Sequence, residues 1–243
     1  MIGQTRDGDV VTLELQRPER RNALDTALCV ALREGIEDAV AGDARVIVIT
    51  GQGSSFCAGA DLSGDSFPSD FPETLNTLLQ TVQNVPIPVI AAVNGPAVGA
   101  GTQLAIASDL RVVADGGYFE IPSTRLGIAV NNWTIKRLSS LAGGSVARTI
   151  LLGGERLHAD QAHHSGLANK RGGVDVAQQW AQSITALAPL ALRHLKLVFN
   201  DDGAHDEPKP EQWEAFGAAW KSEDMQEARR ARNEKRPPKF LGR

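Results

Sequence analysis

Two short runs, ARVIVITG (44–51) and IPVIAAVNG (87–95), constrain this chain more than any other feature. Each is apolar and largely β-branched, shows no polar alternation and closes on turn residues. Strands buried on both faces read this way, as in a parallel sheet covered by helices on either side. LRVVA (110–114) is a third such run. Helical spacing lies between them, so the first half predicts ββα or βα units sharing one sheet, an α/β (α+β) class. VVTLELQ (10–16) alternates and predicts a half-buried strand stopped by Pro18. Asn22, with Asp25 three residues on, reads as the cap of a helix carrying Leu24, Leu28, Leu32, Ile36 and Ala39. The second half predicts helices over 131–141, 145–152, 174–186, 190–199 and 210–232. Residues 63–72, rich in Ser, Asp and Pro, predict a flexible loop. The basic tail RRARNEKRPPKFLGR reads as a solvated helix end or as an arm meeting a phosphate or another subunit.

At 243 residues the chain suits one sizeable α/β domain or two small ones. A net charge of −4 argues against non-specific nucleic-acid binding. No apolar run approaches the roughly 20 residues of a membrane span. The stretch after Met1 lacks the pattern of a signal peptide, and there are only two cysteines, so a cytoplasmic setting is expected. Cys57 lies in an apolar stretch and reads as packing rather than as a nucleophile.

Two stretches carry chemistry. In GQGSSFCAGADLSG (51–64), Ala58, Gly59 and Ala60 are small enough for backbone to approach a ligand closely. In GAGTQLAIASDL (99–110), small residues open a helix and leave N–H groups facing an anion or oxyanion. Two such loops, each following a strand, suit two donors aimed at one carbonyl oxygen. His158, His163 and His164 sit at i, i+5 and i+6 and do not converge, so no metal is expected. VGAGTQ fails as a dinucleotide loop because Leu104 stands at its third small position.

RPERRNAL (17–24), FCAGADL (56–62), VNGPAVGAGTQLAIASDLRV (93–112) and EKRPPKF (234–240), in this order and spacing, resemble the crotonase (enoyl-CoA hydratase/isomerase) superfamily. The resemblance implies a spiral of ββα units with its CoA site over 1–188, and a helical trimerisation region with a basic tail over 189–243. Trimers, often paired into hexamers, are the implied assembly. An acyl-CoA thioester is the implied ligand, with no further cofactor. Its carbonyl oxygen would sit between the N–H groups of Ala60 and Ala100. Ala58 and Leu62 match positions that hold adenine, Arg21 falls where CoA enters, and Lys235 matches a lysine that reaches CoA phosphate, often from a neighbouring subunit. An aromatic found before that lysine in some members is Arg232 here.

Hydratases of this family use two glutamates on the water and the α-proton. Their positions in this chain are Gln103 and Ser123. Gln holds water but cannot accept its proton, and Ser is no base unless activated. Some members place an acid further along, where this chain has Asn131, Asn132 and Trp133. Glu120, Asp70 and Glu73 remain as carboxylates and read as surface or lid groups. Trp133 reads equally as helix packing or as a wall of an acyl pocket, beside Asn131. The resemblance thus implies a fatty acyl-CoA-binding, enoyl-CoA hydratase-like protein that keeps the thioester oxyanion hole without efficient hydration. The alternatives are an active hydratase or isomerase, a carbon–oxygen lyase, using another acid, and a scaffold with a vestigial site.

Overall fold

The computed structural model describes residues 1–62 and 70–243. Its elements in chain order are β1 (Ile2–Asp7), β2 (Val10–Leu15), α1 (Thr26–Ala41), β3 (Val46–Gly51), α2 (Phe71–Asn84), β4 (Val89–Val93), β5 (Pro96–Val98), α3 (Ala100–Ala107), β6 (Leu110–Val113) and β7 (Tyr118–Glu120). There follow α4 (Asn132–Ala142), α5 (Gly144–Leu151), β8 (Leu157–His158), α6 (Ala159–His164), β9 (Lys170–Arg171), α7 (Val174–Thr185) and α8 (Pro189–Asn200). The chain ends with α9 (Pro210–Lys221) and α10 (Glu223–Asn233). Two units result: Met1–Glu120 with Arg156–Asp201, and Ile121–Glu155 with Asp202–Arg243.

The first unit is built on a six-stranded sheet of order β1-β2-β3-β4-β6-β9. Only β1 and β2 pair antiparallel; the remaining neighbours are parallel. The β-branched runs become β3 and β4, buried at every position. Val46, Val48, Ile90, Ala92 and Val112 meet Ala177, Ala181 and Ile184 of α7 across one sheet face. A smaller sheet, β5-β7-β8, lies where the chain leaves β4 for the loop before α3.

Three expectations change, and one strand is added. β2 is almost fully buried rather than half-buried, because both α1 and α7 pack against it. The polar edge strand β1 had no apolar signal and precedes a turn in which Gly8 has φ +57°. Asp25, not Asn22, caps α1, accepting from the Leu28 N–H at 2.7 Å. Asn22 is excluded by its left-handed φ of 57° and by amide bonds made elsewhere. Finally, the single helix over 210–232 is broken at Ser222, whose extended backbone ends α9 and whose hydroxyl caps α10 at the Met225 N–H. The loop expected at 63–72 lies outside the described residues as far as position 69; from Phe71 the chain is α2. No described helix is long and apolar enough to cross a membrane.

α8 is held to its own unit by Leu192, packed against the core, by Asn200, which donates to Gln83 O at 2.8 Å, and by one buried cation. Lys196 Nζ donates to the Val82 and Ile87 carbonyls at 3.0 and 2.9 Å and to Asp109 Oδ2 at 2.8 Å. Around it Leu190 (78% exposed), Leu197, Val198 and Phe199 (71%) face outward. Replacing Lys196 with Met removes this donor from two carbonyls and leaves the Asp109 carboxylate, among the described residues, only the Val89 N–H at 2.8 Å. Urea unfolding should show Lys196→Met less stable by about 2–3 kcal/mol; an unchanged midpoint would mean the lysine contributes nothing to anchoring α8.

Candidate functional site

In the first unit the site begins with a turn. Arg21 and Asn22 are consecutive left-handed residues, φ 50° and 57°. Asn22 is fully buried: its amide oxygen accepts from Arg17 N–H at 3.0 Å, and its amide nitrogen donates to the Gln52 and Ser55 carbonyls at 2.9 and 2.8 Å. That clamp presents the Arg21 carbonyl to Ala58 N–H at 3.0 Å and sets Leu24 beside the next residues. Leu24 N–H donates to Gly59 O at 2.7 Å, and Asp61 N–H donates to Leu24 O at 2.8 Å. In such a parallel bridge the intervening residue, Ala60, turns its own N–H to the opposite side, where it has no backbone partner among the described residues.

The second loop lies directly against the first. Cys57 N–H donates to Pro96 O at 3.1 Å, and Val98 N–H to Cys57 O at 2.9 Å. Gly101 sits so close that a Cβ there would be 2.2 Å from Cys57 O. A Cβ on Gly59, whose φ is +97°, would lie 2.8 Å from Val98 O and 3.7 Å from Ala100 N. Gly99 caps α3 and donates to Glu120 O at 2.7 Å. Thr102 Oγ1 sits 2.6 Å from Ala97 O and accepts from Glu120 N–H at 3.3 Å, tying the start of α3 to β5 and β7. Ala100 N–H belongs to the first helical turn and has no intrahelical acceptor. Two adjacent backbone segments therefore each offer a donor that secondary structure leaves unused. Ala58, Ala60 and Leu62 are half-buried along this edge, while the Arg21 side chain is exposed.

The acid–base candidates separate by environment. Gln103 is half-buried in the first turn of α3, its N–H on Gly99 O at 3.0 Å. Glu120 is a correction: it is no surface or lid group but 4% exposed, with Oε2 held 2.9 Å from Arg156 Nε. The Arg156 guanidinium lies 4.8 Å over the Tyr118 ring, and the bond to Glu120 holds its pKa above the ordinary value. Asp70 and Glu73 are exposed at the start of α2. Burial pushes the Cys57 thiol up to about 12, so it stays protonated at neutral pH and serves as packing.

In the second unit Ser123 is buried before a 3-10 turn, its carbonyl accepting from Leu126 and Ile128 N–H at 3.0 and 3.1 Å. Asn131 caps α4: its amide oxygen takes the Thr134 N–H at 3.1 Å and the Thr134 hydroxyl at 2.6 Å. Trp133 is 8% exposed and lines a cavity of about 140 Å³ with Asn132, His205, Pro208, Trp213 and Phe216. Its indole N–H has no hydrogen-bond partner among the described residues. Lys235 is exposed, lies just past Glu234, the C-cap of α10, and makes no ion pair among the described residues. Of the three histidines singled out in the sequence, His158 lies against the Tyr118 ring, while His163 and His164 meet edge to face and bond to the Ala168 and Asp160 carbonyls respectively.

The model of the enoyl-CoA hydratase/isomerase family matches residues 5–243. The chain belongs to that family. A Mycobacterium leprae protein described as a probable enoyl-CoA hydratase, echA6, is 54% identical over 246 residues, covering all of both chains. The corresponding Mycobacterium bovis protein is 53% identical over 242 residues, again with full coverage of both. Among solved structures, methylmalonyl-CoA decarboxylase superposes with a TM-score of 0.90 at 26% identity, over 100% of this chain and 98% of that one. Carnitinyl-CoA hydratase from Mycobacterium avium superposes at 0.84 with 31% identity and the same coverage. The mixed α/β spiral expected from the four motifs is thus the crotonase fold.

For an enoyl-CoA hydratase-like chain, sequence reading found the two small-residue loops but missed Asn22 and Thr102, which hold them in place. Asn22 lies inside RPERRNAL, where a short amide between arginines and Ala-Leu reads most simply as a cap. Contact between the loops is testable directly. Gly101→Ala should cost at least about 3 kcal/mol in urea unfolding, because Cys57 O is backbone and cannot move aside. Gly116→Ala, with no atom within 4 Å, should change stability by less than about 0.5 kcal/mol. Equal effects at the two sites would contradict the close approach.

Proposed function

We propose that this enoyl-CoA hydratase-like protein binds fatty acyl-CoA thioesters in an oxyanion hole made by the N–H groups of Ala60 and Ala100, and that it hydrates enoyl-CoA inefficiently. The observation that carries the reading is the contact between the two loops, each with an unused donor, beside a residue 103 that is an amide rather than an acid. Developing charge on a thioester oxygen would be met by dipoles already in place. The proton chemistry of hydration would then lack both of its usual carboxylates. Glu120 does not replace them, because Arg156 already engages its carboxylate.

In the same reading Ala58 and Leu62 hold the adenine edge, Arg21 stands at the CoA entrance and Lys235 meets phosphate. Asn131 and Trp133 line the acyl end, Asn131 through its NH₂, since its amide oxygen serves as the cap. CoA esters bound to relatives give this support: one solved methylmalonyl-CoA decarboxylase holds 2-nitronate-propionyl-CoA.

Spectrophotometric hydration of crotonyl-CoA tests the proposal. Wild type should turn over well below the ordinary ~1–10³ s⁻¹, while acyl-CoA esters raise the melting temperature by several degrees, since saturation at ~100 Kd adds about 2.7 kcal/mol. Gln103→Glu with Ser123→Glu should raise the rate, and either change alone should do much less. Turnover in the ordinary range by the unmodified protein would overturn the inefficient-hydration reading and favour an active hydratase using another acid. Absence of any thermal shift from C2 to C18 esters would overturn the binding reading itself.

Assembly belongs to the same proposal. Leu190, Leu197, Val198 and Phe199 of α8 are large apolar side chains left exposed, of the kind subunit contact covers. Light scattering should report a trimer or a dimer of trimers; a monomer at micromolar concentration would count against it.

A further inference from the structure

Lys235 stands in a conformation that side chains rarely adopt. α10 ends in two bonds, Arg236 N–H to Ala231 O at 2.9 Å and Lys235 N–H to Arg232 O at 3.2 Å. This is the paired closure of a helix C-terminus whose left-handed position is usually glycine. Here that position, with φ +53°, is Lys235. A lysine there carries backbone strain that a glycine would not, so neighbouring contacts must hold it.

The contacts that hold it converge on one carboxylate. Glu227, two turns back on α10 and nearly buried, takes both arms of the Arg236 guanidinium, the second at 3.0 Å. The same carboxylate accepts the Lys239 N–H at 3.0 Å and lies 3.3 Å from Arg230. These bonds pull its pKa down to about 2, the Arg236 bond foremost, so it stays ionised through the whole physiological range. Beyond it the tail is laid back along the helix: Asp224 accepts from Leu241 and Gly242 N–H at 2.6 and 2.9 Å, and Glu223 N–H donates to Arg243 O at 2.7 Å. The result sorts the cations of the tail. Arg236 and Arg230 are paired with this carboxylate, whereas the ammonium of Lys235, the residue at the turn, makes no ion pair among the described residues, as is also true of the exposed Arg229, Arg232 and Lys239.

We propose that Glu227 is a positioning residue for Lys235: by gripping Arg236 and the Lys239 N–H it fixes the left-handed turn that presents the free lysine to an anionic ligand. This rests on the reading of Lys235 as the contact to CoA phosphate, and it adds the residue that makes that contact rigid. A lysine on a frayed tail loses much of its side-chain and backbone freedom on binding; one held at a closed turn has lost the backbone part beforehand.

A double-mutant cycle on the full chain separates the two claims. Butyryl-CoA affinity is measured by calorimetry at low and high salt for wild type, Glu227→Gln, Lys235→Ala and the pair. Glu227→Gln should weaken binding about three- to tenfold at low salt and flatten its salt dependence, yet change it less than about twofold when Lys235 is already Ala. Arg236→Gln, at an exposed side chain, repeats the cycle from the other partner and replaces Glu227→Gln if that variant does not fold. An equal loss in both backgrounds would overturn the positioning role while leaving the lysine contact standing. Wild-type affinity in Lys235→Ala would remove the lysine contact itself, and the positioning role with it.

Discussion

Backbone-to-backbone contact between residues 57–60 and 98–101 is the constraint on which the rest of the first unit depends. Nothing larger than hydrogen fits on Gly101, and nothing but glycine tolerates the φ of Gly59 facing Val98 O. Because the two chain segments touch, their leftover donors at Ala60 and Ala100 belong to one locality instead of two unrelated loops. The sheet supplies the rest: β3 delivers the chain to the first loop, and β4 with β5 to the second. Large β-branched residues fill the sheet faces, and small residues begin where the strands end.

The loops are held by polar groups sealed away from water, each fully engaged. Asn22 uses both ends of its amide on three backbone groups. Thr102 joins β5, β7 and the start of α3. Arg111, fully buried, donates to the carbonyls of Leu167 and Ser108 and so fixes the end of α3 against the start of β6. Such groups contribute little net stability when satisfied and cost much when broken, which favours one loop geometry over its neighbours. A site that works through backbone N–H groups needs that rigidity, since its donors have no rotamers with which to adjust.

Charge placement follows the same economy of partners. The carboxylate at Glu120 is neutralised by Arg156, and the one at Glu227 by Arg236. What stands at residue 103, in the first turn of α3, is an amide, competent to orient water but not to exchange a proton.

The core strands, the helices of the second half and the two small-residue loops were legible in the sequence because each is a local pattern: an unbroken β-branched run, a 3.6-residue period, a cluster of Gly and Ala after a strand. Tertiary structure alone decided that β2 is covered on both faces, that Asn22 clamps a turn instead of capping a helix, and that Glu120 is sealed against Arg156, 36 positions away. It also decided that Ser222 divides the long C-terminal helix and that Lys235 takes the left-handed place of a glycine. The reason is common to all of these: propensity and period act over a few residues, whereas the fate of a polar group is set by the partner it meets, and that partner comes from elsewhere in the chain.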